Sequence, residues 1–114
     1  NVGSLSSELG SSHYAEYATV KAAMVGLTRN LAVDYSRFGI TVNAIQPGFI
    51  STESFEASAP MKLKEVYKKS TAIKRIGKPE EVADLILFLS SSRSSYITGA
   101  VIPIGGGAGL SNIW

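Results

Sequence analysis

Residues 14–48 read YAEYATVKAAMVGLTRNLAVDYSRFGITVNAIQPG, a helical period that gives way to a short β-branched run and stops at Pro-Gly. Val20, Met24, Leu27, Leu31 and Tyr35 recur at spacings of three and four, the apolar stripe of an amphipathic helix that starts near Tyr14. Gly39 is expected to cap its C-terminus, because glycine enters the left-handed backbone region without a Cβ clash. Ile40 to Ile45 is too brief for a helix and is expected as a mostly buried strand, halted by Pro47-Gly48.

Outward from this unit the alternation continues. Asn1 to Ser4 has the character of a strand tail entering a polar loop that runs to Ser12. Residues 51–78 mix Ser, Thr and Lys with scattered Phe55, Met61, Leu63, Val66 and Tyr67, which suits short helices in a lid-like excursion. Pro79 at a first helical position, Glu80 and Glu81 in the first turn, and Val82, Leu85, Ile86 and Leu89 in register predict a second firm helix. Ser90 to Ser95 breaks it, Ala100 to Ile104 reads as another apolar strand, and Gly105-Gly106-Gly107 ends that strand in a chain reversal. Strands alternating with helices imply a parallel sheet and an α/β fold. Only three strands are legible, so further strands are expected to precede Asn1.

Composition narrows the function classes. The 114 residues hold no cysteine, which excludes a disulfide scaffold, a thiolate metal site and a cysteine nucleophile, and fits a reducing cytoplasm. No metal site is expected. No apolar run approaches the roughly 20 residues of a membrane span, and a net charge of +2 is too mild for a nucleic-acid face. Local charge is denser: Lys62, Lys64, Lys68, Lys69, Lys74, Arg75 and Lys78 crowd one stretch in which only Glu65 opposes them.

Tyr17 and Lys21 stand four apart on one helix face. A free phenol, with a pKa of about 10, is a poor proton donor at neutrality, and an adjacent ammonium favours its ionised form. Ser4, at a strand end, could hydrogen-bond a substrate oxygen held against the tyrosine. Asn43-Ala44-Ile45-Gln46-Pro47-Gly48 closes the next strand. Ser, then Tyr-x-x-x-Lys, then Asn-x-x-x-Pro-Gly, in this order and spacing, resembles the short-chain dehydrogenases/reductases, as do Arg75 to Ala83 and Tyr96 to Gly99.

The resemblance covers essentially the whole chain and implies a Rossmann-type doubly wound parallel sheet, of which residues 1–114 would be the C-terminal catalytic half. It implies hydride transfer between NADP or NAD and a carbonyl/alcohol pair, in the manner of 3-oxoacyl-[acyl-carrier-protein] or sugar/polyol reductases. Tyr17 would be the general acid/base, Ser4 would polarise the substrate oxygen, and Lys21 would support the phenol and bond the nicotinamide ribose. Pro47 and Gly48 would line the nicotinamide side, Ile50 would meet the carboxamide through its backbone, and Thr52 would contact the carboxamide or a phosphate. His13, Tyr14 and Phe49 are candidates for substrate contact, against plainer readings as a solvated loop residue or packing rings. The family's Thr-Gly-x-x-x-Gly-x-Gly loop and its active-site Asn are absent, so these residues alone are expected neither to grip the dinucleotide nor to turn over. Gly26 in the long helix suggests close helix–helix approach, and relatives of this type imply a homodimer or homotetramer. The basic stretch could receive an acyl-carrier- or coenzyme A-linked substrate, or be only a solvated face. Two other readings stay open: a non-catalytic Rossmann relative, and an epimerase or dehydratase of the extended branch, whose larger substrate region is not seen.

Overall fold

Strand β1 (Ala44–Pro47) is the axis of the structure because both of its edges are taken. On one side Gly3 N–H donates to the Ile45 carbonyl (2.8 Å) and Ile45 N–H to the Asn1 carbonyl (3.0 Å), a parallel bridge to Val2. On the other, β2 (Val101–Ile104) pairs in parallel with Ala44 opposite Val101 and Pro47 opposite Ile104. Ala44, Ile45 and Gln46 are accordingly buried, as a central parallel strand requires. The computed structural model describes residues 1–10 and 12–110.

The strand expected over Ile40–Ile45 therefore lies later in the chain. Val42 and Asn43 are held by loop contacts instead: Thr98 Oγ1 accepts from Val42 N–H (3.0 Å), and the Asn43 amide donates to the Ile97 carbonyl (2.8 Å) and accepts from Ala100 N–H (3.0 Å). Pro47, which has no N–H to give, is tolerated because it is the last strand residue. Its carbonyl accepts from Leu5 N–H (3.1 Å), while Gly48 N–H donates to the Ile104 carbonyl (3.1 Å). All three parallel segments thus end at one edge, where Gly48 and Gly105 face each other.

The long helix is α2 (Ala15–Ser36), preceded by a single turn, α1 (Ser6–Leu9), inside the stretch read as a polar loop; Ser11 of that stretch lies outside the described residues. The α2 stripe is not its buried face, since Val20, Leu27 and Tyr35 are 62%, 46% and 44% exposed while Thr28 and Ala32 are buried. Close approach explains the shift: a Cβ on Gly99 would lie 3.6 Å from the Ala32 Cβ, leaving no room for larger side chains. Thr28 is satisfied despite its burial, donating to the Met24 carbonyl (2.6 Å) and accepting from the Asn1 amide (2.8 Å). Gly39 has the left-handed φ of 74° expected of a cap. No described atom outside its own helix turn and chain neighbours lies within 4 Å of a Cβ built on Gly26, so the close helix approach it suggested is not made within this chain.

After β1 come α3 (Glu53–Ser58), α4 (Met61–Ser70) and α5 (Pro79–Leu89), the last beginning at Pro79 as its sequence predicts. A short 3-10 turn (Ser92–Ser94) then leads to β2, which starts one residue after the expected Ala100. The chain entering α5 is tied back to the end of β1: Gly77 N–H donates to the Phe49 carbonyl (2.9 Å) and Ser51 N–H to the Gly77 carbonyl (2.8 Å). Arg75 donates to both carboxylate oxygens of Glu81, and Lys78 N–H donates to one of them (2.8 Å). Glu81 thereby fixes residues 75–78, and through Gly77 the loop at 49–51. The basic stretch is less bare than it reads, because Glu56 and Glu81 flank it and pair with Lys64 and Arg75, beside the Lys68–Glu65 pair.

Two outcomes follow. A Cβ at Gly48 would stand 2.9 Å from the Gly105 Cα and 3.0 Å from the Leu5 Cδ1, so Gly48→Ala should lower unfolding stability in a urea titration by about 1–3 kcal/mol. The Arg75 guanidinium and the Lys78 N–H hold the Glu81 carboxyl at about 2, against an ordinary 4.5. A depressed carboxyl stabilises the fold above its unfolded pKa and loses that contribution as pH falls towards the folded one. Glu81→Gln should therefore melt below the parent from neutrality down to about pH 5, with the gap closing between pH 4.5 and 2; a gap that does not change with pH would refute the assignment.

Candidate active site

The site is built at the edge where the parallel strands end. Ser4 is 8% exposed and anchored in three ways: its Oγ accepts from Ser6 N–H (3.2 Å), its carbonyl accepts from Ser7 Oγ (2.6 Å), and Ser7 Oγ accepts from the buried Gln46 amide (3.1 Å). The turn of α1 therefore locks the serine to the central strand. Among the described residues the Ser4 hydroxyl accepts from Ser6 N–H and donates to no group, so its proton stays available to a ligand.

Tyr17 sits in the first turn of α2 and is 46% exposed, with its ring edge-to-face against Tyr14 (centroids 6.2 Å apart, planes at 78°). One turn on, Lys21 Nζ donates to the Val2 carbonyl (3.0 Å) and lies 5.7 Å from the Tyr17 ring centroid. The ammonium is thus fixed beneath the ring by the strand end, not by the phenol hydroxyl. Ser4, Tyr17, Pro47 and Gly48 line one cleft of about 300 Å³.

The other expected positions divide. Tyr14 and Phe49 also line the cleft, Phe49 with its ring stacked on Tyr67 (centroids 3.9 Å, planes at 13°). His13 does not line it; the residue adopts a left-handed φ of 66° in the turn before α2 and is exposed. Ile50 faces a separate cavity of about 160 Å³ with Gly77 and Arg75. Thr52 caps α3, its Oγ1 accepting from Phe55 N–H (3.2 Å), and it does not line this cleft. Leu5, Ser6, Leu9, Gly10, Tyr67 and Ala108 complete the lining and were not singled out as site residues from the sequence. The four-residue spacing of Leu5 and Leu9 was the available sign of α1, whereas nothing in the sequence pairs Tyr67 with Phe49.

Charge is kept at the margin. None of the residues lining the cleft is Asp, Glu, Lys, Arg or His. The Glu56 carboxyl is held below its ordinary value first by Lys64 and then by Ser51, outside the cleft. Among the described residues no cluster of three or more His, Cys, Asp or Glu could hold a metal ion.

Residues 1–109 match the family model described as "Enoyl-(Acyl carrier protein) reductase". The 3-oxoacyl-[acyl-carrier-protein] reductase FabG of Aquifex aeolicus is 40% identical over 107 residues, covering 94% of this chain and 43% of its own. Protein FixR of Bradyrhizobium diazoefficiens is 48% identical over 94 residues, covering 82% of this chain and 32% of its own. The crystal structure of a 3-oxoacyl-[acyl-carrier protein] reductase with bound NAD from Brucella melitensis superposes with a TM-score of 0.86 at 34% identity, covering 97% of this chain and 40% of that one. The chain spans less than half the length of these relatives. It belongs to the short-chain dehydrogenase/reductase family, on its 3-oxoacyl-[acyl-carrier-protein] reductase-like side, and its elements carry that family's Rossmann-type α/β fold.

Proposed function

We propose that this chain is the proton-transfer half of an NAD(P)-dependent oxidoreductase acting on a carbonyl/alcohol pair, corresponding to the C-terminal catalytic part of a longer Rossmann domain. The observation that carries the reading is the shared cleft of Ser4 and Tyr17 with Lys21 anchored one helical turn beyond the tyrosine. In reduction, Ser4 Oγ donates to the substrate oxygen and holds it against the Tyr17 hydroxyl, which gives up its proton as charge develops there. In oxidation the same phenol oxygen takes the proton back. Lys21 spends one of its three N–H donors on Val2, and the others can reach a ribose while its charge stands beside the phenol.

The residues present fit the nicotinamide end of a dinucleotide. Gly48 and Gly105 leave backbone without side chains at the strand ends, where a Cβ on either would meet its neighbours at 3.0 Å or less. Pro47 and Gly48 would form one wall for the ring and Lys21 would hold the ribose; the bound nicotinamide would supply or accept the hydride. The pyrophosphate is assigned to a glycine-rich loop outside this chain, since Gly105 to Gly107 lead into a turn and not a helix.

The wider setting is proposed on the same footing. No helix among the described residues is long and apolar enough to cross a membrane, and the lack of cysteine suits the cytoplasm. The exposed Val20, Leu27, Val33 and Tyr35 on α2 support assembly as a homodimer or homotetramer. Lys62, Lys69, Lys74 and Lys78 make no ion pair among the described residues, so they could meet an acyl-carrier- or coenzyme A-linked substrate.

In the full-length protein, Tyr17→Phe should lower kcat/KM for ketone-dependent NAD(P)H oxidation by about 10²–10⁴; an unchanged rate would remove Tyr17 as the proton donor, and a parent that turns over no ketone would leave a non-catalytic relative as the reading. The double change Lys69→Glu with Lys74→Glu should raise KM for a carrier-linked 3-oxoacyl substrate about fivefold at low salt and leave a small free ketone unaffected. Equal KM values at low and high salt would remove the carrier surface.

A further inference from the structure

One polar side chain of β1 is buried beside the cleft without lining it. Gln46 is 1% exposed, and its amide donates to Ser7 Oγ (3.1 Å). Ser7 Oγ in turn donates to the Ser4 carbonyl (2.6 Å), which also accepts from Ser7 N–H (3.1 Å). A hydroxyl has one proton, and Ser7 spends it on Ser4, so the group facing it from β1 must be a donor. The amide NH2 meets that demand, whereas a carboxylate or a thioether of similar size does not. At the next position of the strand, the Pro47 carbonyl accepts from Leu5 N–H (3.1 Å). Two consecutive residues of β1 thus grip the turn that follows Ser4, one by its side chain and one by its backbone. The amide stem is closely fitted as well, since a Cβ on Gly3 would lie 3.3 Å from the Gln46 Cγ.

We infer that Gln46 is a positioning residue for Ser4, acting through Ser7 to hold the serine in the wall of the cleft. Its effect on turnover rests on the carbonyl-reductase reading, while the anchoring itself stands without it. The Ser4 hydroxyl is fixed within the chain by Ser6 N–H, and Ser6 belongs to the same turn. Once Gln46 cannot donate, of the two bonds from β1 to that turn only the one from Leu5 remains. Misplacing an orienting hydroxyl by a fraction of an ångström slows the chemical step more than it weakens binding. Pro47 and Gly48, which follow Gln46 directly, line the same cleft. Gln46 therefore ties the serine to the wall proposed for the nicotinamide, so that the group orienting the substrate oxygen and the surface behind the hydride move as one.

In the full-length protein, with a linear 3-oxoacyl thioester and NAD(P)H, Gln46→Met and Ser7→Ala should each lower kcat about tenfold and change either KM less than about twofold. Ser7→Thr, which keeps the hydroxyl, should run at about the parent rate. Gln46→Met combined with Ser7→Ala should cost no more than either change alone, because both break one chain of bonds. That double change replaces both partners by apolar groups, so it should melt near the parent while keeping the loss in kcat, which separates positioning from a folding defect. Hydrogen exchange at the Ser6 amide, taken relative to amides in the middle of α2, should quicken about tenfold in both single variants. An unchanged kcat, effects confined to KM, losses that add in the double change, or Ser7→Thr as slow as Ser7→Ala overturns the inference. An unmoved Ser6 amide overturns it whatever the rates. A parent that reduces no carbonyl, with the Ser6 amide still loosened in the variants, upholds the anchoring and sinks the reductase reading instead.

Discussion

The bond from the Lys21 ammonium to the Val2 carbonyl fixes how the long helix sits on the sheet. Asn1 and Gly3 spend their facing backbone groups on Ile45, so the Val2 carbonyl, one residue between them, points away from β1 and is free to accept a side chain. A charged donor on that carbonyl makes a stronger bond than a neutral one. Because the acceptor is strand backbone, it cannot drift. Tyr17 lies one helical turn before Lys21, and Ser4 lies two residues beyond Val2, so this bond, together with the one from the Asn1 amide to Thr28, ties the tyrosine's helix to the serine's strand. Tyr17 itself has no other anchor of that kind: its ring touches Tyr14 edge-on and is nearly half exposed.

Everything else at the site is arranged to let backbone ends meet. Parallel pairing brings the C-terminal ends of the Val2 segment, β1 and β2 to one edge, which is where ligands bind in open α/β sheets. The closeness of Gly48 to Gly105 is a steric demand of that convergence, and Pro47 closes the ladder where a donor is no longer needed. Glu81 then carries the constraint outward, since the residues it fixes bridge back to Phe49 and Ser51. The pair is exposed and screened, so its contribution to global stability is modest and its main role is to hold this loop geometry.

The sequence was most legible where one physical requirement dominates a segment. Pro79 followed by two acidic residues and an apolar period has few alternatives to a helix start, and α5 begins there. The alternation of strands and helices and the chain reversal at Gly105 to Gly107 were legible for the same reason, whereas Pro47 and Gly48, which line one cleft with Ser4 and Tyr17, were assigned through the family resemblance. Reading failed where tertiary contact outweighed local pattern. Gln46 looks unlike a core strand residue, yet it is buried and satisfied by Ser7, which moved β1 four residues later than its β-branched run. On α2 the close approach to Gly99 favoured Ala32 and Thr28 over the larger stripe.

Competition between tertiary contact and local pattern also explains why the cleft is neutral in a basic stretch of chain. Lys64, Lys68 and Arg75 each lie near a carboxylate supplied by their own or the neighbouring helix, and each pairs outside the cleft. Rings from three separate segments are left to close the opening, and rings pack against one another without the desolvation that a charge would suffer there.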